Sequence, residues 1–443
     1  MRRGRSERGL AVLVVLVVLA IGVFAGTVAL LVARSAGETA SQSVGLLQSQ
    51  LTMRSGVLAL GMEAQLQRED VLGGADFVFD VPLEVYSEGG RSGVFRFDAT
   101  ITEAPVSLDA LLDVNTADAE MLARLPGVDE ALAEAMAAAL PVSSIRELLS
   151  VEGMTVELLF GAYNDLGQLV SEGVPLASLL TVGSVDPEVA VGASGAVSVP
   201  AGTLRYRADA TFALNVQEGR AVPLHEDQAF QQLTNRFVAS QPRSRGSIVS
   251  VLREQGVDAS SWGFWLDVCA VGAEPVSGRI DINRAPVEVL AVIPGFDADI
   301  AQRIVDTRRT VAASELASVL WPLERGLVDE ESMLLALDRV TTRSVRWVVR
   351  AEAGVQATRD RSVSVDSIED VDRIRGRWAQ TAEDRLVDRV AMDLLVDFSG
   401  ERPVVVPLGD VTIALELGDV VSAMASGRSR GDVPAGLGRG GRP

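Results

Sequence analysis

The first part of the chain falls into three stretches by the alternation of polar and apolar positions. Arg2, Arg3, Arg5, Glu7 and Arg8 make a short charged head, residues 1–9, that ends at Gly9. Residues 10–32 carry no charge and are mostly aliphatic. As a helix such a run reaches roughly 35 Å, enough to cross a bilayer. Leu47, Leu51, Leu58, Met62 and Leu66 then recur at spacings of four and seven. That period predicts an amphipathic helix whose apolar face packs on a soluble body. Gly73-Gly74 stops it. The pattern predicts one long helix, a membrane span over 10–32 and a stem over 33–73, with a coiled-coil stalk as the alternative for the second half.

A period of two follows. Residues 94–101 alternate as a half-buried strand does, and 77–81 and 83–86 are strand-like. With a turn at Gly89-Gly90 they predict a hairpin within 74–105, and Pro82 marks an edge or break. Between 106 and 356 the chain repeats itself. Asp113-Val114-Asn115-Thr116-Ala117, then Leu122, Leu125, Pro126 and Gly127, recurs as Asp281-Ile282-Asn283-Arg284-Ala285, then Leu290, Ile293, Pro294 and Gly295, at an offset of 168. Further on, Thr181-Val182-Gly183-Ser184 aligns with Thr341-Thr342-Arg343-Ser344 at an offset of 160. The repeats occupy 106–202 and 279–356, with 203–278 between them. Strand-like runs at 204–214 and 345–355 follow the two copies.

Each repeat predicts a helix-turn-helix hairpin. Asn115 or Asn283 is placed to cap a helix by accepting backbone N–H bonds. Pro-Gly then makes a tight turn, and Asp129 or Asp297 caps the second helix. Helix-hairpin-helix motifs that bind nucleic acid use a Gly-apolar-Gly turn whose N–H groups reach a phosphate. Here the turns read Gly127-Val128-Asp129 and Gly295-Phe296-Asp297, and a carboxylate in that place repels phosphate. The structural reading of the hairpins is therefore preferred.

Composition narrows the chemistry. The chain has 443 residues, a net charge of −20, one Cys (Cys269) and one His (His225), and its basic residues are all Arg. The length accommodates two or three folding units, and the acidic balance argues against nonspecific nucleic-acid binding. A single Cys and a single His make neither a disulfide nor a Cys/His zinc site. No nucleophile–base–acid set or metal cluster emerges, so the chain is read as a non-enzyme. His225 reads as a solvated or hydrogen-bonded side chain, Trp262, Phe264 and Trp265 as core or an interface edge, and Cys269 as a buried thiol. Residues 185–202 read as a loop and 222–253 as helices interrupted at Gln241-Pro242. The 357–421 extension holds a charge-laced helix-like segment, 359–388, and strand-like runs at 404–406 and 411–417. Residues 422–443 are Gly- and Arg-rich and predict a disordered tail.

For residues 1–32 three readings compete: a cleaved secretory signal, a plain anchor helix with its Arg residues held in the cytoplasm, and a prepilin leader cut between Gly9 and Leu10. The last keeps the apolar helix on the mature protein. Counted from Leu10, the fifth position, where most pilins carry Glu, is Val14.

These features together resemble the general secretion pathway protein K family, the minor pseudopilin K of type II secretion systems. The basic head and Gly9-Leu10 without the fifth-position Glu, the two Asn-Xaa-Ala hairpins, the stretch 147–155 after the first hairpin and Thr342-Arg343-Ser344 before a strand carry the resemblance, over about residues 5–356. It implies an α+β fold: a transmembrane and stem helix, and a pilin-like α/β body into which a helical domain with both hairpins is inserted. It implies a single-pass protein of the bacterial inner membrane, its soluble part in the periplasm, at the tip of a pseudopilus. Its partners would be prepilin peptidase, the minor pseudopilins I and J, other pseudopilins and the inner-membrane secretion platform, with no nucleic acid. Some members bind calcium through acidic loops; no ligand is matched here residue by residue. The alternative is a membrane-anchored, competence-type DNA receptor, which carries a similar hairpin.

Overall fold

The computed structural model describes residues 4–88, 91–97, 105–162, 173–189, 206–207, 232, 235–237, 239–271, 275–357, 386–400 and 402–408, without the side chains of 4–15, 17–18, 20–21, 206–207, 268, 357 and 387. His225, the tail, the run 411–417 and nearly all of 190–231 and 359–388 lie outside these residues, as do the side chains at the Gly9-Leu10 junction.

The fold is α+β. Helix α1 (Gly4–Leu72) is followed by strands β1 (Leu83–Glu88), β2 (Arg91–Phe97), β3 (Val106–Ser107) and β4 (Leu112–Asp113). The first repeat contributes α2 (Ala119–Ala123), α3 (Glu130–Ala139), α4 (Val156–Phe160) and β5 (Leu180–Thr181). Then come β6 (Tyr206–Arg207), α5 (Arg245–Glu254), α6 (Trp262–Val268) and β7 (Cys269–Ala270). The second repeat runs through β8 (Ile280–Asp281), α7 (Val287–Leu290), α8 (Ala298–Arg308), α9 (Ala313–Leu316), α10 (Trp321–Glu324), α11 (Glu330–Ala336) and β9 (Val340–Thr341). Strands β10 (Arg346–Ala357), β11 (Val387–Asp397) and β12 (Val404–Pro407) complete it. Among the described residues no helix is long and apolar enough to cross a membrane.

The chain divides into two compact units. The first comprises Met1–Gly56, Pro82–Arg96 and Glu352–Ala391. In it β1 and β2 form an antiparallel hairpin with a bulge between Glu84 and Tyr86, as the alternation predicts, and β2 is followed in the sheet by β10 and β11. The helix packs on this hairpin through small residues. A Cβ at Gly56 would stand 2.1 Å from the Phe95 ring, so glycine there sets how closely the helix approaches the strand. Ser49, Thr52 and Met53 are buried on the same face. Buried Glu352 accepts from Arg96 Nη2 at 3.2 Å and Arg389 Nη1 at 2.8 Å, an ion triad across adjacent strands.

The second unit comprises Val57–Val81, Phe97–Ala351 and Met392–Pro443. It holds one continuous apolar core assembled from both repeats and from Phe237, α5 and α6, with Trp262, Phe264, Trp265 and Cys269 all inside it. Its sheet pairs β3 with β10 and β11 with β12. The segment 77–81 is not a strand. Gln67 on α1 takes the partner's place: its Nε2 donates to Val78 O at 2.6 Å and its Oε1 accepts Val78 N at 3.1 Å. Phe77 meanwhile packs edge-on to Phe398 with ring centroids 5.2 Å apart.

The stem differs from the periodicity's prediction in one decisive respect. Leu47 and Leu51, within the first unit, are 56% and 54% exposed; Leu58, Met62 and Leu66, within the second, are 66%, 71% and 77% exposed. The face that packs is the opposite one, through Ser49, Met53, Leu60, Ala64 and Val71. Helix α1 thus has two apolar faces. The small-residue face reads weakly in the sequence, yet it is covered because it lets strands come close; the large-residue face is bare.

Candidate functional site: the paired hairpins and their charge junction

The two repeats, both in the second unit, fold alike. Each opens on an Asp whose carboxylate turns the chain: Asp113 Oδ1 accepts Asn115 N at 3.1 Å, and Asp281 Oδ1 accepts Asn283 N at 2.9 Å. The asparagines do not cap helices. Helix α2 is capped by Asp118, and α7 begins after Pro286 with no side-chain cap. Asn115 sits in a 3-10 turn ahead of the helix, so its amide reaches sideways. It exchanges two bonds of 2.8 Å with the backbone of Val142. Asn283 Nδ2 donates to Leu316 O, and its Oδ1 accepts Trp321 Nε1, both at 2.9 Å. Each Asn clamps its hairpin to the segment beyond the second helix.

At the turns Gly127 has φ +76° and Gly295 φ +85°, a backbone region that L side chains enter only with strain. A Cβ at Gly295 would also fall 2.3 Å from Ser332 O on α11. The residues after the glycines, Val128 and Phe296, point into the core. The second helices begin as expected: Asp129 Oδ1 accepts Leu132 N at 2.8 Å, and Asp297 Oδ1 accepts Ile300 N at 2.7 Å. Helix N-termini attract phosphate, but here each already holds a carboxylate of its own turn. The arrangement suits packing rather than anion capture.

The copies close in the same way. Strand β4 pairs in parallel with β5, and β8 with β9. Asp113 Oδ2 then accepts Gly183 N at 3.0 Å and Ser184 N at 2.9 Å, while Asp281 Oδ2 accepts Ser344 Oγ at 2.7 Å. Asp109 joins the two exits. Its Oδ1 accepts Val185 N at 2.9 Å, beyond the first repeat; its Oδ2 accepts Val345 N at 2.7 Å and Arg346 N at 3.0 Å, beyond the second. Burial pushes the Asp109 carboxyl up to about 7; the three backbone N–H groups work against that rise, and the charge of Asp281 adds to it.

A second junction is ionic. Asp186 follows the first repeat, Arg279 precedes the second, Arg343 closes it, and Arg245 opens α5. Asp186 Oδ1 accepts Arg343 Nε at 3.0 Å, and Oδ2 accepts Arg279 Nη1 at 3.0 Å and Arg245 Nη2 at 3.4 Å. Glu188, at a left-handed φ of 55°, adds a second carboxylate toward Arg279 and Arg245. All five residues are buried. Three guanidinium groups on two carboxylates bind together pieces of chain far apart in sequence. A cavity beside Arg245, lined by Leu266, Asp267, Thr341 and Thr342, has room for no more than about one water molecule. Among the described residues no set of His, Cys, Asp and Glu is arranged to hold a metal ion.

Asn115, Pro126, Gly127, Asn283, Pro294 and Gly295 are thus brought into two equivalent hairpins; Gly9 and Leu10 are not characterised beyond lying in α1. Sequence reading passed over Asp109, Asp186, Arg245 and Arg279. The available signal was Arg279 beside the apolar pair Ile280 and Ile282, where a charge next to a buried strand demands a partner. Comparison with family models, with characterised proteins and with solved structures gives no match.

Proposed function

We propose that the chain is a minor pseudopilin of type II secretion, the K-type subunit at the tip of a periplasmic pseudopilus. The observation that carries the reading is the bare apolar face of α1. A plain membrane anchor needs no large apolar side chains on its stem, since exposing them to water is unfavourable. A subunit that packs into a bundle of parallel helices does. In this reading prepilin peptidase cuts between Gly9 and Leu10, residues 10–32 hold the subunit in the inner membrane, and the soluble units lie in the periplasm as its pilin-like body and inserted helical domain. Minor pseudopilins I and J and the secretion platform are the partners.

Val14 supports a terminal position. A carboxylate at the fifth mature residue would pair with the terminal amine of a neighbouring subunit; Val14 offers none. The hairpin module is a scaffold in this reading, held by Asp109 and Asp186. The test is position. Gold-labelled antibody against the soluble part, on pseudopili lengthened by overexpressing the major subunit, should mark one end only. Label distributed along the length would overturn the proposal.

A further inference from the structure

We infer that the face of the first repeat through Leu149, Ser150 and Val156 docks one amphipathic helix of another protein, and that this helix sets an arginine or lysine against Glu157. The chemistry of the occupant follows from what covers the same face of the second repeat.

Both repeats lie in the second unit, and their later halves correspond residue by residue. Leu149-Ser150-Val151 stands where the second repeat has Ala317-Ser318-Val319, at the offset of 168. Thr155 caps α4, its Oγ1 accepting Leu158 N at 3.1 Å, as Asp329 caps α11, its Oδ1 accepting Ser332 N at 2.8 Å. Pairing the two caps matches Met154 to Val328 and Leu159 to Met333, all four buried. It also matches Val156-Glu157 to Glu330-Glu331. Helix α10 falls between the two matched stretches and has no counterpart in the first repeat.

In the second repeat, helices α5 and α6 cover this face. Gly263 of α6 lies so close to buried Ser318 that a Cβ there would stand 2.6 Å from its Oγ. Ala317 and Val319 line the small cavity together with Gly263 and Leu266 of the same helix. Arg253, in the last turn of α5, pairs with Glu330. A Cβ at Gly246 of α5 would stand 3.8 Å from Leu334 O on α11.

The first repeat presents the same face without that cover. Leu149 is 37% and Val156 47% exposed, and Ser150, Glu152 and Glu157 are exposed beside them. Where the second repeat sets Glu330 against Arg253, the first has bare Val156, which asks for an apolar side chain. Glu152 and Glu157 have no ion pair among the described residues. Apolar side chains bordered by unpaired carboxylates fit a helix that is apolar on one side and basic at its edge. A second molecule of this chain, docked through the same face, would bring carboxylate against carboxylate, which is repulsive. So few side chains make a small contact of the transient class, and crosslinking in cells is the way to catch it.

The test uses the full chain, with a photo-activated phenylalanine analogue at Leu149 or Val156, and at Leu335, an exposed apolar position of the second repeat, as control. The expected result is one discrete adduct from Leu149 and Val156 and none from Leu335, its peptide mapping to an amphipathic helix of another protein that carries Arg or Lys. Glu157→Arg removes no ion pair or side-chain hydrogen bond of the folded chain and should lower the yield about tenfold. Glu331→Arg, the same change at the matching place in the second repeat, should leave it unchanged. Reversing the basic residue of the mapped helix to Glu should restore the yield with Glu157→Arg. No adduct, equal adducts at Leu335, adducts within this chain or between two molecules of it, or a yield indifferent to Glu157→Arg each overturn the proposal. Where the mature chain begins does not enter, so the pseudopilin reading stands or falls separately.

Discussion

Removing the Asp186 carboxylate should be the most damaging single change in the hairpin module. Asp186→Ala deletes the acceptor of three buried guanidinium groups, Arg245, Arg279 and Arg343. It also removes the acceptor of Thr341 Oγ1 at 3.2 Å and of Glu188 N at 2.9 Å. Glu188 would be the remaining carboxylate of the cluster, so its net charge rises from about +1 to about +2 in a place water does not reach. Breaking one buried pair costs about 3–5 kcal/mol because the surviving charge stays unsolvated. Arg245 and Arg279 keep Glu188, so the range for one broken pair applies, about 3–5 kcal/mol. Domains are stable by about 5–15 kcal/mol, so the variant should lose about a fifth or more of its stability. Trp262, Trp265 and Trp321 lie in the same core, and their fluorescence through a urea titration of the detergent-solubilised chain reads the loss as a lower midpoint at unchanged slope. The double variant Asp186→Leu with Arg343→Met should be less damaged than Asp186→Ala alone, since it removes charge of both signs. A loss under about 1 kcal/mol, or a double variant worse than the single one, would refute the view that the junction is an electrostatic staple.

Three further outcomes follow from the same geometry. Asp109 has its carboxyl raised by burial to about 7 from an ordinary 3.8. Its contribution is therefore fully present below about pH 4 and is lost as pH rises through 7, by up to about 4 kcal/mol. Asp109→Asn should flatten the unfolding free energy between pH 4 and 7 relative to the parent chain, measured by urea titration at each pH. Gly295→Ala should cost more than Gly127→Ala, about 3 against 1–2 kcal/mol: both have positive φ, but at Gly295 the new methyl meets the Ser332 carbonyl and at Gly127 only the movable end of Leu158. Thermal midpoints of the two variants decide the order. Asn115→Ala leaves Val142 N and O without their amide partner and should destabilise by about 2 kcal/mol, with faster amide exchange at Val142 as the local signature.

The hairpins were legible because short-range chemistry specifies them. Pro-Gly requires a turn, an Asp before a helix caps it, and the repetition of both at one offset excludes accident. The stem was legible as a helix but not as to which side packs. Large residues mark a face as apolar; only the strands brought against it from elsewhere in the chain decide that Gly56 and Ser49 are covered and Leu51 is not. The asparagines were misassigned for a related reason. Asn115 has the chemistry of a cap, but its partner Val142 lies 27 residues on, beyond what local pattern reveals. Of the ionic cluster only Arg279, beside Ile280 and Ile282, carried a signal; Asp186, Arg245 and Arg343 were illegible, because charges scattered over the sequence look like ordinary surface until the fold encloses them.

The measurement that bears most directly on the central claim is the mass of the mature N-terminus, in cells with and without prepilin peptidase. The account predicts a peptidase-dependent start at Leu10, with residues 10–32 retained as the membrane span ahead of the stem. A chain that keeps Met1 whether or not the peptidase is present, or one that begins beyond residue 22, would contradict it: the first leaves a static anchor, and the second an exported protein without its membrane span.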